Sequence, residues 1–216
     1  MKVSSAKEKI LKKIREALSN STPLPFPKSE GNSSVFHPQT EELEILFAEE
    51  FTKLSGKFAF CVNEADAKNQ IKKLIIQQKW ENVYCKENEL LNLFKTEEFP
   101  AIKKSSLANC DAAITSCNYL VARTGAIVMS SAQQSGRTVS AYAPVHICIA
   151  YTDQLVCDTR DALKDLKKKY GNNLPSFITF AAGPSRTADI EKTLVVGVHG
   201  PKEVYVFLID KPLLSL

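Results

Sequence analysis

Three short stretches gather arginines, hydroxyls and glycines: Arg123-Thr124-Gly125, Gly136-Arg137-Thr138 and Gly183-Pro184-Ser185-Arg186-Thr187, with His199-Gly200 shortly after the last. Glycine lets a backbone approach a ligand closely, hydroxyls donate hydrogen bonds, and a guanidinium grips a carboxylate or phosphate through two parallel bonds. If the turns meet at one sheet edge they form an electropositive cleft for a small carboxylate or phosphate. The candidate ligand-binding residues are therefore Arg123, Thr124, Gly125, Arg137, Gly183, Ser185, Arg186, Thr187, His199 and Gly200. His199 suits general acid–base work, since imidazole titrates near neutrality. It suits equally a turn residue ahead of Pro201, and each arginine taken singly suits a solvated surface. His146, following Pro144 at the start of an apolar strand, reads as core or edge packing. No Ser-His-Asp, Cys-His or paired-carboxylate set emerges, so no catalytic residue is named. Neither GxGxxG nor GxxxxGK[ST] is present.

The Gly183 turn sits between two apolar, strand-like runs at 177–180 and 204–208. After the turn the pattern predicts a short helix, N-capped by Ser185 or Thr187, with Asp189 and Glu191 in its first turn. Such a helix start would aim unpaired N–H groups at an anion. The bland alternative is a Gly-Pro turn, a simple cap and a solvated Arg186.

Elements able to position these turns alternate along the chain. Helical spacing over 41–54, 64–78, 87–94 and 158–170 is interleaved with strands at 57–62, 82–85, 111–115, 126–129 and 145–150. A helical turn is expected over 118–122, a functional loop over 130–138 and a small edge pairing at Leu155-Val156. Such alternation indicates βαβ units, hence an α/β, three-layer sandwich with a mostly parallel central sheet. Ahead of it, 4–18 carries a narrow apolar stripe (Ile10, Leu11, Ile14, Ala17, Leu18) on a lysine-rich helix, followed by a Pro-rich, polar stretch to Pro38. The division expected is an N-terminal helical arm and linker, 1–37, and an α/β domain, 38–216.

Composition narrows the function classes. A chain of 216 residues that is 44% hydrophobic and 24% charged is able to bury a sizeable core. A net charge of +4, with acids and bases mixed, argues against a nucleic-acid surface. No apolar run approaches the roughly 20 residues of a membrane span, and the charged N-terminus lacks a secretory core, so a cytoplasmic protein is expected. The six cysteines form no CxxC pair and the three histidines are scattered, which predicts free thiols, no metal site and no cofactor.

The string GPSRTADIEKTLVVGVHGP resembles the C-terminal signature of the lactate utilization protein C family, the LUD-domain proteins. Asp111 to Thr115, Ala122 to Val128 and Arg137 to His146 resemble that family's middle blocks, so the resemblance covers roughly residues 105 to 210. It implies a NagB/RpiA/CoA-transferase-like fold and a component of an L-lactate oxidation system acting with iron–sulfur partner proteins. Where the family usually reads Ala-Glu-Thr-Gly, this chain has Ala122-Arg123-Thr124-Gly125. A carboxylate role at 123 does not carry over, which weighs against the alternative of a self-sufficient CoA-transferase or sugar-phosphate-isomerase-like enzyme.

Overall fold

The structure is a computed structural model that describes residues 5–19, 42–94, 98–103, 106–190 and 193–210. The chain divides into two units, Met1–Gln39 and Thr40–Leu216. In the first, helix α1 (Ser5–Ser19) leaves Ile10, Leu11 and Ile14 exposed, the narrow stripe expected of the arm. The linker at 20–37 lies outside the described residues.

The second unit is organised on six parallel strands: β1 (Lys57–Cys61), β2 (Val83–Cys85), β3 (Ile102–Lys103), β4 (Ala112–Ser116), β7 (Val145–Tyr151) and β12 (Glu203–Ile209). They lie side by side in the order β1-β12-β7-β4-β2-β3. Strands buried on both faces read as continuous apolar runs, as β7 and β12 do. Their alternate residues serve two cores: Ile147, Ile149, Tyr205, Phe207 and Ile209 face one way, while Cys148, Ala150, Val204, Val206 and Leu208 face the other.

The first core is closed by α3 (Glu64–Gln78) through Ala67, Ile71 and Ile75, and by α4 (Asn88–Phe94) through Leu90 and Phe94. Helix α3 begins where the Asn63 side chain accepts from the Asp66 N–H at 2.9 Å, a side-chain N-cap. The second core is closed by α2 (Leu43–Lys53), through Phe47 and Phe51, and by a four-stranded sheet. That sheet is made of β8 (Leu155–Val156), β5 (Tyr119–Val121), β6 (Ala126–Ser130) and β9 (Ile178–Ala181), in that order. Its outer face packs on α6 (Thr159–Tyr170) through Ala162 and Leu166. A parallel central sheet flanked by helices is the α/β architecture expected, including the Leu155-Val156 pairing, with the four-stranded sheet as an additional layer between the second core and α6.

Two local expectations are corrected. The stretch expected as a helical turn over 118–122 is strand β5, followed by a 3-10 turn at Ala122–Thr124. The helix expected after Gly183 is a hairpin of β10 (Arg186–Ile190) and β11 (Thr193–Val196). Ser185 N–H donates to the Pro201 carbonyl and Gly197 N–H to the Ser185 carbonyl, both at 2.9 Å, so the hairpin base is closed by backbone bonds. The β-branched residues Thr187, Val195 and Val196 favour that extended form. The helix-dipole part of the anion argument is lost with the helix. Between β6 and β7 the loop carries one short helix, α5 (Val139–Tyr142).

Candidate functional site

At the amino ends of β7 and β12 the central sheet meets β6 and β9 across a cleft of about 280 Å³. Five of the ten expected residues line it: Arg137, Gly183, Ser185, His199 and Gly200. Gly183 ends β9 with a left-handed φ of 77°, and a Cβ there would stand 2.6 Å from the Leu54 carbonyl oxygen. Only glycine turns the chain so tightly against the end of α2. A Cβ on Gly200 would stand 2.8 Å from Ser185 Cβ, so glycine there lets the His199 turn and the Gly183 turn come together. Lys202 N–H donates to the Pro144 carbonyl at 2.8 Å and fixes that turn over the start of β7.

Arg137 supplies the positive charge. It is exposed, it donates to the Ser176 hydroxyl, and its guanidinium stands 5.7 Å from the centre of the Phe177 ring. A cation–π contact of this kind helps place a guanidinium while leaving its other donors open to a ligand. His199 is exposed on the opposite turn, and Ser185 is half-buried between them. The arrangement offers a cation, a hydroxyl and an imidazole to one small, partly apolar space.

The wall of this cleft also holds a residue whose sequence context suggested packing alone. His146 is buried, and its Nε2 lies 2.8 Å from Thr115 Oγ1, itself fully buried on β4. Burial holds the imidazole down to about 4, so the ring is neutral in the ordinary range of pH. Register explains the pairing: Ala113 lies opposite His146, so Thr115 follows two residues on along the same face. The visible signal was a lone polar ring inside the run Val145-His146-Ile-Cys-Ile.

The other five expected residues stand elsewhere. Arg123 is turned to Asp158, with Nε 3.2 Å from Oδ1, and its N–H donates to the Cys157 carbonyl. Thr124 and Gly125 form the turn under α2: Gly125 has φ 57°, and a Cβ there would lie 2.6 Å from the Phe51 nitrogen. Arg186 donates from Nη2 to the Leu54 carbonyl at 2.6 Å and to Ser55 Oγ at 2.9 Å. It clasps the turn in which Ser55 takes the unusual φ of 66°. Thr187 pairs with Val195 within the hairpin. Only two of the three glycine turns line the cleft: the 122–125 turn is packed against α2 at Phe51 and tied through Arg123 to Cys157 and Asp158 at the start of α6.

Among the described residues, no three His, Cys, Asp or Glu side chains are grouped to hold a metal ion. Nor, among those residues, is any helix long and apolar enough to cross a membrane.

The model of one protein family, described as the LUD domain, matches residues 45–209. Over 119 residues the chain is 38% identical to a protein named lactate utilization protein C from Halalkalibacterium halodurans, covering 54% of this chain and 51% of that one. Over 112 residues it is 32% identical to an uncharacterized protein of Neisseria meningitidis serogroup B, covering 52% of this chain and 48% of the other. The chain spans about half the length of these curated relatives. The crystal structure of a DUF162 family protein from Deinococcus radiodurans superposes with a TM-score of 0.60 at 18% identity, covering 77% of this chain and 96% of that one. At that identity the likeness speaks for the fold.

Proposed function

The chain belongs to the LUD-domain family, and from that premise we propose that it serves as a component of an L-lactate utilization system, binding a small carboxylate in the amino-end cleft. The observation that carries this reading is the placement of Arg137, Ser185 and His199 around one cleft of about 280 Å³. A three-carbon 2-hydroxy acid fits such a space, its carboxylate on Arg137 and its hydroxyl toward Ser185 or His199. The relatives named for lactate utilization support the same substrate class. Oxidation of a 2-hydroxy acid to a 2-oxo acid releases two electrons, and we assign their removal to iron–sulfur partner proteins of the same system. The transferase-like alternative requires a carboxylate at the Ala122 turn, where Arg123 is ion-paired with Asp158 instead.

Deleting the gene and comparing growth on L-lactate with growth on glucose tests the reading. Loss confined to lactate is expected, and unimpaired lactate oxidation would sink it. At the level of the cleft, Arg137→Ala removes a charge-assisted hydrogen bond of about 1.5–3 kcal/mol. Lactate or pyruvate affinity should fall by about tenfold to a hundredfold in a thermal-shift titration. An unchanged affinity places the anion elsewhere.

A further inference from the structure

The amino-end cleft lies where the second core runs out. In the antiparallel pairing of β6 with β9, Ile127 stands opposite Ala181 and Met129 opposite Thr179. These four side chains therefore share one face of the four-stranded sheet. Ile127, Met129 and Ala181 belong to the second core, between that sheet and the central one. Ile127 is fully buried, whereas Thr179 and Ala181 are half-buried and line the cleft. Across the gap Val204, at the start of β12, belongs to the same core and lines the cleft too. The inner part of the cleft is thus the open end of the apolar space between the two sheets.

Charge is confined to the mouth, where Arg137 and His199 are exposed. Among the described residues of the lining none is acidic, and Arg137 carries the one fixed charge. The cleft therefore asks of a ligand one negative charge at one end and apolar surface at the other. The carboxyl-end cleft of the same sheet, about 480 Å³ at the ends of β4 and β7, has Glu89 and Asp153 in its lining and is less suited to a carboxylate. Small residues leave room at the amino end: Ala141, Ala181, Ala182, Gly183 and Gly200. The space they leave is about 280 Å³. At roughly 30 Å³ per non-hydrogen atom, the share of a water molecule in the liquid, lactate takes about 180 Å³. Space remains for about three further carbons.

We propose that the cleft takes 2-hydroxy monocarboxylates as a class, with alkyl side chains longer than the methyl of lactate and up to about six carbons in all. The carboxylate lies on Arg137 at the mouth, and the alkyl group enters the gap between the sheets against Thr179 and Ala181. The proposal rests on the reading of this cleft as a carboxylate site and extends it from lactate to a substrate class. Each methylene that leaves water for the gap tightens binding by about fourfold. A second carboxylate in place of the alkyl group meets an apolar wall with no partner for it.

The test is calorimetric titration of the full chain with the L-forms of lactate, 2-hydroxybutanoate, 2-hydroxy-4-methylpentanoate, 2-hydroxyoctanoate and malate. The six-carbon acid should bind at least about tenfold more tightly than lactate, and 2-hydroxybutanoate should fall between them. The octanoate should gain nothing over the six-carbon acid, and malate should bind about tenfold more weakly than lactate. Ala181→Leu and Ala141→Leu each fill part of the gap and should cut the ratio of six-carbon to lactate affinity by about tenfold. Ala141→Leu alters an exposed position of α5, so it decides the ratio even where Ala181→Leu unfolds. Suppose lactate binds but the longer acids bind no tighter, malate binds as well as lactate, the octanoate binds tighter still, or the ratio survives the leucine variants. Any of these overturns the proposal and leaves the carboxylate site standing. If none of the acids binds, lactate included, the carboxylate site itself is lost and the proposal with it.

Discussion

The central sheet carries a cleft at each end. At the amino ends of β7 and β12 the wall presents Arg137, His199 and Ser185; at the carboxyl ends of β4 and β7 the lining includes Glu89, Asp153 and the amides Gln133 and Gln154. One wall is built from hairpin and turn residues closed by backbone bonds, the other from an interlocked set of side-chain amides and a buried glutamate. The positional rule for α/β sheets selects the carboxyl end, whereas the positive charge suited to a carboxylate stands at the amino end. A fold therefore supplies places for sites, and the side chains decide what each place receives. Lactate affinity reports on the amino-end cleft and global stability on the shared scaffold, so mutations can be sorted by which readout they move.

The largest effect is expected from Gly125→Ala. The left-handed backbone and the 2.6 Å approach to Phe51 N leave no room for a methyl group. A loss of about 3 kcal/mol or more is expected by chemical denaturation. Because α2 and both sheets share this support, lactate binding should fall with stability. Lactate binding retained at unchanged stability would show that the cleft does not rest on the Gly125 turn.

His146 tests the amino end through pH. Its folded value of about 4 lies below the unfolded value near 6.5, so the unfolded chain binds the proton more readily between them. Stability is therefore unaffected by this group above pH 6.5 and is lost as pH falls toward 4. At pH 5 the loss is about 2 kcal/mol relative to pH 7. In His146→Gln the difference between urea melts at pH 7 and pH 5 should shrink by that amount. An unchanged difference would mean that the ring is not held neutral at the cleft.

Arg123→Ala should cost about 1 kcal/mol, as for a partly buried ion pair. Lactate affinity should not change, and a change in it would return the 122–125 turn to the binding site. The smallest effect is expected from Arg186→Ala, at about 0.5 kcal/mol for an exposed clasp on the Ser55 turn. Lactate affinity should again be unaltered. Weakened lactate binding there would extend the amino-end site to the hairpin.

The alternation of apolar runs with 3.6-residue and continuous spacing made the parallel sheet and the helices α2, α3, α4 and α6 legible in the sequence. Their patterns are local, and tertiary packing reinforces them. The hairpin after Gly183 was not legible. Ser185, Thr187 and Asp189 satisfy the pattern of a capped helix start, and Ile190 and Leu194 share helical spacing. Closure onto Pro201, well downstream of the turn, decided the matter and leaves no mark in a short window. Half of the expected site residues converge for a similar reason. Gly183 and Gly200 carry the close approach in their own composition, whereas the place of Arg123 depends on Asp158. The carboxyl-end cleft was invisible because amides, tyrosines and acids scattered along the chain form no motif; the strand register brings them to one edge.

Strand β12 is the last of the twelve described strands to be made, yet it lies between β1 and β7, and Lys57 meets Glu203 across 146 residues of sequence. During synthesis, β1 leaves the ribosome long before it has a neighbour, with Phe58 and Phe60 uncovered and its backbone unpaired. Closure of so long a loop must precede the contacts that reward it, which places this chain among slow, non-local folders. The nascent protein is thus exposed to self-association while most of the domain is being translated, and its yield in the cell should depend on chaperone supply and growth temperature more than its finished stability would suggest.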